Sequence, residues 1–123
     1  MSERSDLAGL HIGTSGWSYK HWMGVFYPES VKAGKFLEYY SSRFSCVELN
    51  ASFYYPPGKK VVEGWSNRVP ATFRFCPKMS RFITHMRRLV NTESALDSFL
   101  ELFRPMKSLL GPLLIQLPPA LKY

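Results

Sequence analysis

The chain has 123 residues, is 46% hydrophobic and 15% aromatic, and carries a formal net charge of +7. This length and composition indicate one folded domain and exclude an intrinsically disordered chain. No apolar run approaches the ~20 residues needed to cross a membrane, and the polar N-terminus lacks the apolar centre of a secretory signal. We therefore expect a cytoplasmic protein that has no membrane partner.

Strand-like and helix-like segments alternate along the chain. Four segments show the alternation or the short apolar run typical of strands: residues 10–15, 46–50, 72–78 and 112–117. Helical stripes occupy residues 35–44 and 59–67, and a third helix follows Thr92, which can act as its N-cap, and should end or kink at Pro105. The order β-α-β-α-β-α-β predicts a parallel sheet with right-handed crossovers.

The spacing of these units predicts an α/β fold that is the N-terminal half of a TIM (β/α)8 barrel. Strand starts lie roughly 25–40 residues apart, and eight such units need about 250 residues, of which this chain supplies about half. We interpret residues 1–9 as a polar tail and residues 10–123 as a partial barrel domain whose C-terminal half is absent. Because half a barrel exposes unpaired strand edges, we expect a chain this short to self-associate, to aggregate or to come from a longer polypeptide. A complete small open α/β sheet is the alternative.

Alternation along the strands predicts which side chains share a face. If the apolar side of each strand faces the helices, the polar residues near the strand ends face the other way. These residues are Ser15, Glu48, Asn50, Lys78 and Gln116. Barrel enzymes place their sites at this end of the sheet. Glu48 and Lys78, on adjacent strands, are expected to neutralise each other, because an isolated buried charge is costly. A purely structural polar network is the alternative to a ligand site.

The loop after the first strand is rich in glycine and aromatic residues. Gly13 to Gly16 do not form a phosphate-binding Walker loop, and Trp17 stands where a nucleophile elbow requires glycine. Trp17 and Tyr19, nearest the strand end, are candidate ligand contacts. The later aromatic residues of this loop, Trp22, Phe26 and Tyr27, are expected to pack beneath it as a small core.

Two further candidates follow the second and third strands. Tyr54 can offer its hydroxyl to a ligand or pack its ring on the loop. His85 is the only histidine close after a strand end, which makes it a candidate general acid or base, although a structural role is the alternative. Metal-binding motifs such as His-x-His are absent from the sequence, and no cofactor is indicated.

Six pieces of the sequence, in this order, resemble the YecE-like family, a group of TIM-barrel domains of unknown function (domain of unknown function 72). The pieces are IGTSGWSY..W...FYP, F..VELN.SFY, W, P..F.F..K, ITH and LGPLLIQLPP, which span about Leu10 to Pro119. The resemblance implies a barrel fold and a missing C-terminal half. The polar positions that the family shares fall on Glu48, Asn50, Tyr54, Lys78, His85 and Gln116.

The leading functional hypothesis is a ligand-binding or enzymatic barrel of unknown reaction. Its mouth would hold a small polar or anionic ligand near Lys78 and His85, with Glu48 as an acid, a base or an orienting group. Nucleic-acid binding or processing is a second hypothesis, suggested by the basic charge and the exposed aromatic residues. An inactive truncated fragment is the third.

Overall fold

The structure, a computed structural model, describes residues 9–122, so the predicted polar tail lies almost entirely outside the described residues. Three strands form one parallel sheet in the order β1 (Gly13–Ser15), β2 (Cys46–Leu49), β3 (Arg74–Pro77). The α-helices of the described part are α1 (Phe36–Arg43), α2 (Ala51–Tyr54), α3 (Lys59–Ser66) and α4 (Glu93–Leu102). Short segments of other helix types cover Lys20–Trp22, Ala33–Lys35, Phe82–Met86 and Arg104–Leu109, the last of which is kinked at Met106. Between residues 9 and 122, no helix combines the length and the apolar character that crossing a membrane demands.

The central strand β2 determines which side chains face the helices. Val47 lies opposite Thr14 of β1 and Phe75 of β3. Val47 of β2 and Phe75 of β3 are completely buried, and Leu49 is nearly so. Glu48, which lies between Val47 and Leu49 in β2, is only partly buried. This alternation is the one predicted for β2 and β3 from their sequences.

Aromatic residues from the first loop and from α1 build much of the core. The rings of Tyr27 and Phe36 stack with centroids 3.9 Å apart, and both side chains are buried. Trp22 and Phe26 pack against this cluster while remaining partly exposed. The prediction that these aromatic residues form a core beneath the loop is therefore confirmed.

The predicted fourth strand, residues 112–117, is wrong. Two isolated parallel bridges join this part of the chain to β3 and its end, Phe75 with Leu110 and Lys78 with Leu114. The two bridges are three residues apart on the β3 side and four residues apart on the other, so the pairing cannot continue in register. Pro112 lies between them and has no N–H to donate. The sheet of the described residues therefore has three strands.

The first strand is shorter than predicted and begins at Gly13. A side chain at Gly13 would overlap the carbonyl group of Cys46, so only glycine allows β1 to approach β2 this closely. The N–H of Ile12 donates to Ser45 Oγ at 3.2 Å instead of joining the ladder. Ile12 therefore lies outside the ladder, and its side chain is 60% exposed.

The hydroxyl of Tyr40 fastens α1 to the two strands beneath it. It accepts a hydrogen bond from the N–H of Thr14 at 2.8 Å and donates to the carbonyl of Cys46 at 2.9 Å. Burial raises the pKa of Tyr40, so the hydroxyl keeps its proton for this donation. One side chain thereby connects a helix, β1 and β2.

We expect Tyr40→Phe to lower the free energy of unfolding by about 1–3 kcal/mol, because it removes two hydrogen bonds, to the partly buried Thr14 N–H and to the Cys46 carbonyl. Urea titration of the variant measures the change. Tyr39→Phe is the matched control on the same helix, since no hydrogen bond of its hydroxyl is seen within residues 9–122. We expect the control to stay within about 0.5 kcal/mol of wild type. Equal effects of both changes would contradict this role of Tyr40.

Candidate functional site

The loop after β1 folds back over the carboxyl ends of β1 and β2. Gly16 has a left-handed backbone with φ of +81°, and its N–H donates to the carbonyl of Glu48 at 2.9 Å. The hydroxyl of Tyr19 donates to the carbonyl of Ser15 and lies where a side chain at Gly16 would be. Glycine is needed here for both reasons. The Tyr19 hydroxyl is thus engaged in holding the loop.

A pocket of about 280 Å³ lies between this loop and the end of β2. Its lining comprises Gly16, Trp17, Ser18, Tyr19, Glu48, Leu49, Asn50, Ala51 and Trp65. Trp17 meets Trp65 of α3 edge to face, with ring centroids 5.2 Å apart. Ser15 Oγ donates to Glu48 Oε1 at 3.3 Å beside the pocket. The structure therefore brings together five of the predicted site residues: Ser15, Trp17, Tyr19, Glu48 and Asn50.

A second cluster forms where β3 ends. The Nζ atom of Lys78 lies 4.2 Å from the centroid of the Phe53 ring, within the range of a cation–π contact. The same ring packs perpendicular to the imidazole of His85, with centroids 5.1 Å apart. Buried Ser52 holds this region in place, because its hydroxyl lies 2.7 Å from the carbonyls of both Leu49 and Lys78.

The imidazole of His85 has one nitrogen fixed by its neighbour. Nδ1 lies 2.8 Å from the hydroxyl of Thr84, and Thr84 is completely buried. Both residues belong to the π-helical turn Phe82–Met86, which follows β3 directly. The Thr84 hydroxyl also lies 3.4 Å from the carbonyl of Ser80, to which it can donate, so it accepts from Nδ1–H of His85 and leaves Nε2 as the nitrogen that can meet a ligand.

The expected neutralisation of Glu48 by Lys78 is wrong. Among the described residues the ion pairs are Lys35 with Glu38 and Glu101 with Arg104, both between neighbouring side chains. Lys78 lies over Phe53, and Glu48 accepts a hydrogen bond from Ser15. Both groups are only partly buried, so water can stabilise each charge and pairing is not required.

The remaining two candidates lie apart from these contacts. Tyr54 is 53% exposed, and its ring meets that of Phe53 edge to face. Gln116 is exposed and lies beyond Leu114, the last residue that pairs with the sheet. Gln116 depended on the fourth strand, so the loss of that strand removes the geometric reason for placing it in the site.

Positive charge is concentrated around the β3 cluster. Residues 78–92, which follow β3, contain four lysine or arginine residues and no aspartate or glutamate. The three arginines, Arg81, Arg87 and Arg88, are exposed and follow the end of β3. Arg88, Leu89 and Asn91 adopt left-handed backbone conformations, a strained arrangement that occurs frequently near functional sites. This edge of the sheet is therefore electropositive on the β3 side.

Comparison with known protein families matches residues 11–123 to the family described as "Protein of unknown function DUF72". The chain belongs to the DUF72 family. It is 30% identical over 109 residues to UPF0759 protein YecE of Escherichia coli (strain K12), covering 89% of this chain and 38% of that protein. It is 35% identical over 105 residues to UPF0759 protein YunF of Bacillus subtilis (strain 168), covering 85% of this chain and 35% of that protein.

Solved DUF72 structures have a similar fold. A DUF72 family protein from Thermotoga maritima MSB8 superimposes with a TM-score of 0.77 at 30% identity, covering 92% of this chain and 46% of that one. A DUF72 family protein from Enterococcus faecalis V583 gives a TM-score of 0.69 at 25% identity, covering 89% and 40% of the two chains. The chain thus spans less than half the length of each of these relatives.

Two cysteines of this DUF72 chain lie near Glu48. Burial is the main cause that raises the pKa of the Cys46 and Cys76 thiols, and for Cys76 the charges of Cys46 and Glu48 raise it further. Both thiols therefore keep their protons to a higher pH than a free cysteine does. In the part of the chain that the structure describes, no three His, Cys, Asp or Glu side chains are grouped to hold a metal ion.

Sequence reasoning missed four residues that shape the pocket and the β3 cluster: Ser52, Phe53, Trp65 and Thr84. Three of them stand directly beside residues of the two predicted motifs after β2 and β3, but the short helix α2 that orients Ser52 and Phe53 was not predicted. Trp65 was assigned to the helical stripe of α3, and it serves both the core and the pocket. Recognising a helical turn at Ala51–Tyr54 would have identified Phe53 as a neighbour of Lys78.

The thiol environments predict a pH dependence. We expect alkylation of Cys76 by iodoacetamide to reach half its maximal rate at a higher pH than a free cysteine, whose pKa is about 8.5. The folded state holds the Cys76 proton more tightly than the unfolded chain does, so the protonated thiol favours folding. This contribution to the free energy of unfolding is complete below the unfolded pKa of the thiol and is lost as pH rises through its folded pKa. Peptide mapping after timed alkylation measures each site.

Glu48→Gln provides the control for the thiol experiment. Removing the nearby carboxylate should move the Cys76 profile to lower pH and leave that of Cys46 in place, since only Cys76 is affected by Glu48. A Cys76 profile identical to that of a free cysteine in the folded chain would rule out the burial described here.

The contact between Thr84 and His85 predicts a spectroscopic effect. We expect His85 to show one imidazole tautomer in nitrogen-15 NMR spectra of the wild type and a mixture in Thr84→Val, because valine has the same shape and no hydroxyl. Thr84→Ser retains the hydroxyl and should restore the single tautomer. The same tautomer ratio in the wild type and the valine variant would show that Thr84 does not orient the ring.

Proposed function

We propose that this chain forms the N-terminal half of a (β/α)8 barrel that binds a small anionic ligand at the carboxyl ends of its strands. The parallel order of β1, β2 and β3 supports the barrel, as does the likeness to a DUF72 structure of which the chain covers 46%. In barrels of this kind the ligand lies at the strand ends and is contacted by the loops that follow them.

The observation that carries the proposal is the cluster of Lys78, Phe53 and His85. The Lys78 ammonium lies over an aromatic face and has no carboxylate partner among the described residues, so its hydrogen-bond donors can meet an anion. Arg81 and the two arginines that follow the π-helical turn add positive potential around it. A cationic edge of this kind raises the local concentration of anionic molecules.

His85 acts in this proposal as the group that exchanges a proton with the ligand. Thr84 contacts Nδ1, and the imidazole packs perpendicular to the Phe53 ring, so Nε2 is the position left for a ligand. A histidine fixed in this way beside a cation can serve a general acid or base step when the ligand carries an ionisable oxygen. The whole protein would then be an enzyme or a binding protein for a small anionic molecule.

Titration with inorganic phosphate at constant ionic strength tests the proposal. We expect saturable shifts of the His85 ring signals in NMR spectra, and about tenfold weaker binding in Lys78→Met, because a hydrogen bond to a charged group contributes about 1.5–3 kcal/mol. Arg68→Met is the charge-matched control, since Arg68 lies in the loop before β3, at the opposite edge of the sheet. Binding that the two variants weaken equally reflects net charge alone and contradicts the proposal.

A short single-stranded oligonucleotide distinguishes the nucleic-acid hypothesis from the small-ligand one. Binding to phosphodiesters would weaken steeply as salt is added, and it would depend on Arg81, Arg87 and Arg88 more than on His85. Binding of the oligonucleotide without any response to phosphate would favour nucleic-acid recognition. A folded chain that binds neither would support the inactive-fragment hypothesis.

A further inference from the structure

The outer edge of β1 lies open for pairing with another strand. The N–H of Thr14 points toward β2, where it donates to the Tyr40 hydroxyl that itself donates to the Cys46 carbonyl. The C=O and N–H groups of one trans peptide point in opposite directions, so the carbonyl of Gly13 points away from β2. No hydrogen bond to this carbonyl is seen among residues 9–122. An unpaired strand edge of this kind is a template for another chain.

The chain that returns to β3 after α4 forms the opposite edge of the sheet. The N–H of Leu114 donates to the Pro77 carbonyl at 2.9 Å, and the carbonyl of Leu114 accepts from the Met79 N–H at 2.8 Å. By the same peptide geometry, the N–H of Ile115 points away from β3, and it has no acceptor in the part of the chain that the structure describes. The bridge between Leu114 and Lys78 is parallel, so this edge runs in the same direction as the three strands.

Both edges also carry exposed apolar side chains. Leu10 and Ile12, which lead into β1, are 55% and 60% exposed. Ile115 and Leu117, on the opposite edge, are 52% and 46% exposed. Glu48, on the sheet face that points away from the helices, is likewise accessible to water. Parallel sheets are normally covered on both faces, so these edges and this face are expected to be covered by another chain.

We propose that a second copy of this chain covers both edges in a symmetric dimer that closes the barrel. A two-fold axis along the strands keeps the strands of both copies parallel and places β1 of each copy beside Ile115 of the other. The Ile115 N–H then donates to the Gly13 carbonyl of the second copy, and the same contact forms twice. A second copy supplies both complementary edges by symmetry, whereas an unrelated partner would have to carry both of them independently.

The lengths of the solved relatives agree with this occupant. The chain spans 46% of the DUF72 protein from Thermotoga maritima and 40% of the one from Enterococcus faecalis. Two copies therefore supply about as much chain as one of these relatives contains. A dimer closed in this way satisfies the edges of both copies and leaves no open edge on which further copies could assemble.

Sedimentation equilibrium of the whole chain tests the inference. We expect a reversible equilibrium whose heavier species has twice the 14.2 kDa mass of one chain. In amide hydrogen exchange, the Ile115 N–H should be protected where the dimer prevails and should lose protection on dilution. The Leu114 N–H, which is bonded within the chain, should stay protected throughout. A monomer at every concentration, or assemblies that grow beyond the dimer, would overturn the proposal.

Substitutions at Ile115 locate the contact. Ile115→Lys places a charge on the edge, and we expect it to raise the dimer dissociation constant at least about tenfold. Ile115→Pro removes the outward N–H without breaking a hydrogen bond within the chain, and it should have the same effect. Leu100→Lys on α4 is the matched control, because Leu100 is 50% exposed and Ile115 is 52% exposed. Circular dichroism identifies the folded variants, and equal dimerisation of the control and the folded Ile115 variants would contradict the contact.

The inference rests on the half-barrel of the proposed function and is independent of its anionic ligand. A dimer that shows no response to phosphate would support the closed barrel and contradict the ligand. A monomer that binds phosphate through Lys78 would contradict the dimer and support the ligand. Measuring the mass of the chain with and without phosphate therefore tests the two proposals separately.

Discussion

The parallel pairing of β2 with both of its neighbours is the constraint on which the site depends. Because the three strands run in the same direction, their carboxyl ends lie at one edge of the sheet, and the pairing of Ser15 with Glu48 and of Glu48 with Cys76 sets the level of each side chain. The loop after β1 is bonded to the end of β2 through Gly16, and the residue after β3 through the N–H of Lys78 and the carbonyl of Leu49. A shift of one residue in either pairing would turn Glu48 or Lys78 to the helix face.

Much of the fold was predictable because the sequence alternates cleanly where the sheet is covered by helices. Val47, Leu49, Phe73 and Phe75 are buried as expected, and the spacing of apolar residues gave α1, α3 and α4 with errors of one or two residues at their ends. The prediction of a fourth strand was wrong because an apolar run indicates a preference for burial and does not indicate hydrogen-bonded pairing with a neighbouring strand. PLLIQL has the composition of a strand, but the proline that opens it and the extra residue between its two bridges prevent a ladder.

The sequence allowed us to predict which residues lie at the candidate site better than which of their side chains touch each other. Strand alternation correctly gathered Ser15, Glu48, Asn50 and Lys78 at one edge, since it depends only on direction and period. Alternation could not predict that Lys78 lies over the ring of Phe53 and not beside the carboxylate of Glu48. The position of Phe53 depends on the four-residue helix α2. A single helical turn leaves almost no periodic signal in the sequence.

Separation of charge between neighbouring strands gives this edge its chemical character. A direct Glu48–Lys78 ion pair would have made the mouth electrically neutral and would have used the hydrogen-bonding capacity of both groups. Holding the ammonium over an aromatic ring and the carboxylate beside a serine hydroxyl keeps each charge solvated and available. The Glu48 carboxylate consequently stays beside Ser15, and the Lys78 ammonium stays over Phe53 at the end of β3. The aromatic contact of Lys78 thereby keeps two opposite charges apart although they follow neighbouring positions of the same sheet edge.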